Sequence, residues 1–173
     1  MNVAARILAV ADRRPPDFVI GGFERPYLLR WWLIPRNRWF NVYLHQFLRS
    51  DDDRALHDHP WANVSVLLRG AYTEHTINSG GVNVRRRYTA GNMKARGPGY
   101  AHRIELTDGP CWTLFITGPR VRGWGFHCPS RWVPWEEFTA EDDKGAIGRG
   151  CGEHDFARRT DARAPFMMKR EGE

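Results

Sequence analysis

The sequence predicts an all-β barrel or jelly roll, with a short N-terminal helix and a short helical or irregular C-terminal tail. Short strand-like runs recur at intervals of about eight to twelve residues, which is typical of such folds. Turn residues separate the runs, and Asn78-Ser79-Gly80-Gly81 is the clearest example. In several runs apolar and polar residues alternate with the period of two that a half-buried strand requires.

The length and composition of the chain are those of one globular domain. Its 173 residues, predicted as a single domain over 1–173, are enough to bury a core. A content of 13% aromatic and 27% charged residues argues against disorder. No apolar run reaches the roughly 18 residues of a membrane span, and the first residues lack the apolar centre of a signal peptide. We therefore expect a cytoplasmic protein with no membrane partner.

The net charge of +6 does not by itself indicate a nucleic-acid partner. The arginines are scattered, apart from the run Arg85-Arg86-Arg87, whose side chains alternate between the two faces of a strand. No recognised nucleic-acid motif accompanies that run. We expect solvated strand positions, a small-molecule substrate and no nucleic-acid partner.

The chain begins with a predicted helix over residues 2–11, for which Asn2 is a suitable N-cap. Pro15 and Pro16 follow shortly and cannot continue a helix. The apolar runs over residues 27–34 and 39–48 then predict a hairpin at the start of the barrel.

Five later runs are further predicted strands of the barrel, over residues 63–68, 71–77, 82–89, 111–117 and 124–127. In the run over 71–77, a shift of one residue in the strand register would exchange the two faces, so either Glu74 or His75 could face inward. The polar, Gly- and Arg-rich segment 142–173 is predicted to be a surface tail.

The three cysteines are an odd number without paired spacing, which does not favour a disulfide framework. We expect Cys111, Cys128 and Cys151 to be free, buried thiols. Cys151 and His154 are too few ligands for a zinc site.

The stretch around His57 and His59 predicts a metal site. Two histidines one residue apart on an extended chain point to the same side, and His is the commonest metal-binding side chain. Asn63 keeps the same parity and should share their face. A third histidine, His102, opens another alternating run after a Pro-Gly turn. Three histidines from two strands suffice for a metal that keeps open coordination positions.

These two stretches resemble the motifs of the cupin superfamily, Gly-x5-His-x-His-x3-4-Glu-x6-Gly and Gly-x5-Pro-x-Gly-x2-His-x3-Asn, over about residues 40–120. Six residues fall on the pattern with the spacing of the family: His57, His59, Gly70, Gly91, Gly99 and His102. Four positions depart from it: Asp51, Asn63, Gly97 and Leu106 stand for the Gly, Glu, Pro and Asn of the motifs. The resemblance implies a double-stranded β-helix barrel that holds a divalent metal.

The resemblance also implies a function. Some cupin-type dioxygenases, including thiol dioxygenases, bind iron through three histidines without the Glu. We expect His57, His59 and His102, with Asn63 as a fourth candidate ligand, to bind Fe(II), with nickel, zinc or manganese as other candidate ions. The leading hypothesis is a metal-dependent oxygenase of a small anionic or thiol substrate. The alternatives are an isomerase or epimerase of a sugar-like substrate and a binding module without catalysis.

Further residues are candidates for the site by type and position. Tyr100 and Glu74 are candidate catalytic residues, and Glu74 could replace the missing motif carboxylate. Arg96, Trp61 and His45 are candidates for contacting substrate, the arginine because a guanidinium pairs with a carboxylate through two hydrogen bonds. A homodimer is a further expectation. The apolar residues Trp31 and Trp32 would suit its interface, although core packing would explain them equally well.

Overall fold

Two facing layers of antiparallel β-sheet form a barrel, which confirms the predicted all-β barrel or jelly roll. The structure is a computed structural model that describes residues 2–21, 24–51, 55–141 and 147–152. Within these residues the strands are β1 (Phe18–Ile20), β2 (Leu28–Trp32), β3 (Asn41–Phe47), β4 (Leu56–His57), β5 (Asn63–Arg69), β6 (Ala71–Asn78), β7 (Val82–Thr89), β8 (Met93–Arg96), β9 (Arg103–Glu105), β10 (Cys111–Thr117), β11 (Gly125–His127) and β12 (Trp132–Pro134). The helices are α1 (Val3–Arg13) and α2 (Trp135–Phe138), and Ser79–Gly81 forms a 3₁₀ turn.

The first layer is one six-stranded sheet in the order β1-β2-β3-β10-β5-β8. Neighbouring strands are antiparallel, with Asn63 of β5 opposite Thr117 of β10 and Arg96 of β8. Every second residue of β5 is buried, namely Asn63, Ser65 and Leu67. These residues face the barrel interior because side chains alternate along a strand, and the parity predicted for Asn63 is therefore confirmed.

The second layer consists of two three-stranded sheets, β12-β11-β4 and β7-β6-β9. An isolated antiparallel bridge between His57 and His102 joins them edge to edge. Each of these two residues donates its backbone N–H to the carbonyl of the other, with both N···O distances 2.9 Å. The layer is thus continuous across the barrel, and its seam lies at two of the motif histidines.

The helix and several strands occur where the sequence predicts them. Helix α1 is capped by Asn2, whose Oδ1 accepts a hydrogen bond of 2.8 Å from the N–H of Ala5. It extends two residues past the predicted end, to Arg13. Strands β7 and β10 have the predicted bounds. Strand β3 begins two residues later than predicted and ends one residue earlier.

Trp31 packs inside the described chain. It is 3% exposed and stacks on Trp112 with ring centroids 5.6 Å apart, and its Nε1 donates to the carbonyl of Arg14 at 3.0 Å. Core packing therefore accounts for Trp31, and the homodimer stays a prediction without support from this residue.

One end of the barrel is closed by an aliphatic and aromatic core, made of Leu28, Phe47, Leu67, Tyr72, Tyr88, Ile104 and Cys111. Gly70, a residue of the first motif, turns the chain at this end with a φ of 85°. A Cβ at this position would lie 2.9 Å from the Pro110 carbonyl oxygen and from the Cβ of Cys111. The motif glycine is therefore required both by its backbone conformation and by the close approach of β10.

At the other end a buried carboxylate fixes the strands around the histidines. Asp58 is fully buried between His57 and His59 in the chain, and it accepts hydrogen bonds from the N–H of Gly125 at 3.0 Å and from Trp132 Nε1 at 3.0 Å. Burial raises the pKa of this carboxyl, but these bonds and that from Arg122 outweigh it and lower the pKa below its ordinary value. Asp58 thus ties the first motif to β11 and β12.

The expectation of three free thiols is wrong for two of them. Cys128 and Cys151 form a disulfide, whereas Cys111 is free and buried. The two bonded cysteines come together because residues after α2 return to its C-terminal end, where Ile147 makes a β-bridge with Thr139. Their separation of 23 residues carries no sequence signal of this return.

Most of the predicted surface tail, 142–173, lies outside the described residues, and so does His154. Residues 147–152 are described and pack beside the second apolar cluster, which contains Phe126, Val133 and Phe138. None of the helices in the described part of the chain combines the length and apolarity needed to cross a membrane.

Candidate metal centre

Three imidazoles meet at the seam of the second layer. His57 comes from β4, His59 from the turn after it, and His102 from the residue before β9. One nitrogen of each lies within 4.8 Å of the others, and the two seam residues have ring centroids 4.8 Å apart. The structure therefore brings together the three histidines that the sequence predicts as metal ligands.

The spacing of the nitrogens fits a single ion. His59 Nε2 and His102 Nε2 are 3.0 Å apart. Two nitrogens that are each about 2.1 Å from one ion, at an angle of roughly 90°, would be separated by about this distance. The donor set consists of neutral borderline ligands, which suit a divalent transition metal better than calcium or magnesium. The three-histidine cluster is thus a site for a divalent metal.

Burial keeps two of the imidazoles in the neutral form that binds metal. It lowers the pKa of His57 to about 4, although the nearby Asp51 carboxylate opposes the shift. It also lowers the pKa of His59 well below its ordinary value, with the neighbouring imidazoles acting in the same direction. A metal that binds a protonated imidazole must first displace its proton, at a cost in binding free energy. Because His57 and His59 are neutral at neutral pH, they bind metal without this cost.

Glu74 lies behind His102 and orients it. Its Oε1 is 2.8 Å from His102 Nδ1, so Nε2 of the same ring is directed at His59. Of the two residues between which the sequence left the choice open, Glu74 faces the histidines and is 1% exposed. His75, on the opposite face, pairs with Glu105 at 2.6 Å. Glu74 contacts the outer nitrogen of a ligand, and its predicted catalytic role stays a prediction.

Two cations neutralise the buried Glu74 carboxylate. Lys94 Nζ binds Oε1, and Arg96 Nη2 donates to Oε2 at 2.6 Å. Lys94 also lies between the rings of Tyr72 and Tyr88, 4.8 and 4.7 Å from their centroids. Burial would raise the pKa of the carboxyl, but the hydrogen bond to His102 and the charge of Lys94 outweigh it and lower the pKa. Glu74 is therefore ionised.

Lys94 and Asp51 support the site although the sequence did not single out either as a site residue. Lys94 shares the face of Arg96 on β8, and that parity was the available signal. Asp51 stands where the motif has Gly, and its Oδ2 accepts from the N–H of Ile104 at 2.7 Å. The same oxygen is 3.7 Å from His57 Nδ1. A carboxylate thus lies beside each of the two seam histidines.

A cavity of about 470 Å³ opens on the histidines, which is within the range of small-molecule sites. Its walls are mostly apolar and aromatic, and Phe115 is an example, with its ring 5.9 Å from that of His59. Trp61 and Asn63, both predicted site residues, line the cavity. The ring of Trp61 stacks at 6.4 Å from His59, and Asn63 is 7% exposed. Ligation by Asn63 stays a prediction.

The other predicted site residues have distinct positions. His45 is buried in the cavity wall, where its Nε2 accepts a hydrogen bond of 2.8 Å from Arg30 Nε. Arg96 lines the cavity, but it is bound to Glu74. Tyr100 is 38% exposed and is not among the residues that line the cavity, and its ring lies under the Arg96 guanidinium at 4.4 Å. Its predicted catalytic role stays a prediction.

The solved structures to which this chain is similar include cupin and double-stranded β-helix proteins. A double-stranded β-helix protein from Klebsiella pneumoniae is 15% identical, with a match over 62% of this chain and 90% of that chain and a TM-score of 0.47. A cupin domain from Bordetella pertussis is 21% identical over 56% of this chain and 98% of that one, with a TM-score of 0.41. An oxalate decarboxylase from Lactobacillus farciminis is 16% identical over 66% of this chain and 33% of that one, with a TM-score of 0.46. No family model and no curated protein matches the sequence.

Proposed function

We propose that this protein is a metal-dependent oxygenase, with Fe(II) as the favoured ion and a small anionic or thiol substrate. The observation that carries the proposal is the cluster of three histidines whose ligand atoms lie within 4.8 Å of one another, at a cavity. When bound, iron would supply the redox chemistry and open coordination positions.

The charge balance of the ligands favours an anionic substrate. Three imidazoles are neutral donors, so they leave the full charge of a divalent ion uncompensated. The carboxylates beside the seam histidines, Glu74 and Asp51, are themselves engaged. Glu74 binds Lys94 and Arg96, and Asp51 accepts from the backbone of Ile104. A carboxylate or thiolate entering the cavity would therefore meet a net positive centre.

The protein residues would supply orientation and a dry environment. Glu74 holds the ring of His102 so that its Nε2 faces the cluster. The aromatic walls at Trp61 and Phe115 limit the water around the histidines and strengthen electrostatic interactions there.

Metal content tests the proposal directly. The protein is purified without a metal-binding tag, reconstituted anaerobically with Fe(II), and analysed by plasma mass spectrometry beside His57→Ala. His127→Gln is the matched control, because His127 is exposed and contacts Asp58 instead of the cluster. We expect about one iron per chain in the wild type and in His127→Gln, and almost none in His57→Ala.

Oxygen uptake with small thiols and carboxylates then tests the reaction. Uptake that requires both iron and His57 would support the oxygenase. Stoichiometric nickel, zinc or manganese in place of iron would contradict the favoured ion, and proton exchange at a substrate carbon without oxygen uptake would favour an isomerase. Absence of any metal after reconstitution would refute the proposal.

A further inference from the structure

Arg30 is a charged residue within an otherwise apolar strand. It lies at the centre of β2, in the run Leu28-Leu29-Arg30-Trp31-Trp32, and it lines the cavity. Side chains alternate along a strand, so Leu28 and Trp32, which also line the cavity, share its inward face. An arginine at such a position is costly unless a partner compensates its charge.

Arg30 has no carboxylate partner in the described part of the chain. Its Nε donates to His45 Nε2 at 2.8 Å, and its guanidinium carbon lies 4.9 Å from the centre of the Tyr43 ring. Because His45 accepts through Nε2, this imidazole is neutral and leaves the charge of Arg30 uncompensated. The two terminal nitrogens, Nη1 and Nη2, make no hydrogen bond to a described residue. They have the fork geometry that pairs with a carboxylate.

Arg30 belongs to the wall that leads to the metal centre. His45, its acceptor, stacks on Phe115 with ring centroids 5.1 Å apart. Phe115 in turn packs against His59, with centroids 5.9 Å apart. One aromatic layer thus connects the Arg30 guanidinium with His59, and both residues line the same cavity.

Other unpaired groups on this cavity are also donors. Trp61 Nε1 and Asn63 Nδ2 are buried and have no hydrogen-bond partner among the residues that the structure describes. A buried donor without an acceptor is destabilising, so a ligand that supplies oxygen atoms would be stabilised by accepting hydrogen bonds from these two groups. The cavity therefore favours an oxygen-rich anion.

We propose that Arg30 binds the carboxylate of the substrate, while the other end of the same small molecule reaches the three histidines. This inference rests on the proposed function, and it defines the substrate class as a small carboxylate with a second polar group. It transfers to Arg30 the role that the sequence suggested for Arg96, whose guanidinium is bound to Glu74. Arg36 stacks on Trp32 at 5.3 Å and lines the cavity too, so it adds positive charge near the path of an incoming anion.

The test measures anion binding without turnover. Calorimetry on metal-free protein compares propionate with propionamide, a neutral analogue of similar shape, for the wild type and Arg30→Gln. Arg38→Gln is the matched control for charge, because Arg38 is exposed, stacks on Trp39 at 4.6 Å and does not line the cavity. Arg30→Lys keeps the charge but loses the fork, and thermal unfolding shows whether each variant is folded.

We expect the affinity for propionate to fall at least about tenfold in Arg30→Gln, since a hydrogen bond to a charged group contributes about 1.5–3 kcal/mol. It should fall less in Arg30→Lys and stay unchanged in Arg38→Gln, and propionamide should bind weakly to all four proteins. Equal propionate affinity in the wild type and Arg30→Gln, or no preference of the wild type for propionate, would overturn the inference.

Iron content, measured on the same preparations, separates this inference from the proposed function. If the protein binds iron normally and its affinity for propionate does not depend on Arg30, the inference about Arg30 is refuted and the proposed function is not. Propionate binding that depends on Arg30, in a protein that takes up no metal, would refute the oxygenase and leave an anion-binding barrel.

Discussion

The Glu74→Gln substitution tests two roles of this carboxylate, one in metal binding and one in the stability of the fold. Glu74 is 1% exposed and contacts His102, Lys94 and Arg96. Glutamine has the same shape and can still accept from His102 Nδ1, but it lacks the negative charge. The Glu74 carboxylate has two effects: it polarises His102 and it compensates the charge of the buried Lys94. The substitution removes the negative charge on which both effects depend.

Two magnitudes follow from these contacts. Loss of a carboxylate behind a ligating histidine typically weakens metal affinity by about 10–100-fold. Removal of one member of a buried ion pair typically costs about 3–5 kcal/mol of stability, because the other charge stays buried. The side chain of Lys94 is 7% exposed, so this cost applies to it. We expect Glu74→Gln to show both losses.

The double variant Glu74→Gln/Lys94→Met distinguishes the loss of metal affinity from the loss of stability. Methionine can occupy the space of Lys94 between Tyr72 and Tyr88, and its thioether contacts aromatic rings favourably. Urea denaturation of the metal-free proteins should show most of the stability restored in the double variant. Competition with a chelator for Co(II) should show metal affinity still reduced. Unchanged Co(II) affinity in either variant would refute the orienting role of Glu74, and no recovery of stability would refute the charge argument.

Two further predictions concern the fold and pH. Cys128→Ser should lower the free energy of unfolding by about 3 kcal/mol, as expected for a closed loop of this length, and a reductant should cause a similar loss in the wild type but none in the variant. His45 is held neutral by burial and by the charge of Arg30, so its folded pKa lies below the ordinary 6.5. As pH falls below 6.5 the unfolded chain binds a proton that the folded chain does not, and stability decreases by up to about 1.4 kcal/mol per pH unit. In metal-free protein His45→Gln should reduce that slope between pH 7 and 5, and parallel curves would contradict this assignment.

The motif spacing predicted that the three histidines share one site, because strand parity is a local property. His57 and His59 are one residue apart on extended chain, and Asn63 faces inward from β5 with the predicted parity. The third histidine of the cluster, His102, could be predicted because a Pro-Gly turn and an alternating run mark the start of a strand.

The residues around the ligands depend on pairing between distant strands, which parity does not determine. Glu74 reaches His102 because β6 pairs with β9, and Lys94 reaches Glu74 from the other layer. Arg30 was passed over in an apolar run, although a lone charge at the centre of such a run is the signal that could have found it. The disulfide was missed for the same reason, since Cys151 returns from beyond the last helix.

The backbone bridge between His57 and His102 has a consequence for how the ion is acquired. These residues are far apart in the chain, yet each donates to the other through a 2.9 Å backbone hydrogen bond that is part of the β-layer itself. The entropy lost on closing the intervening loop is thus part of the free energy of folding and not of the free energy of metal binding. The ligands are preorganised as in a rigid chelator, and the free energy of metal binding is available for affinity rather than for ordering the polypeptide.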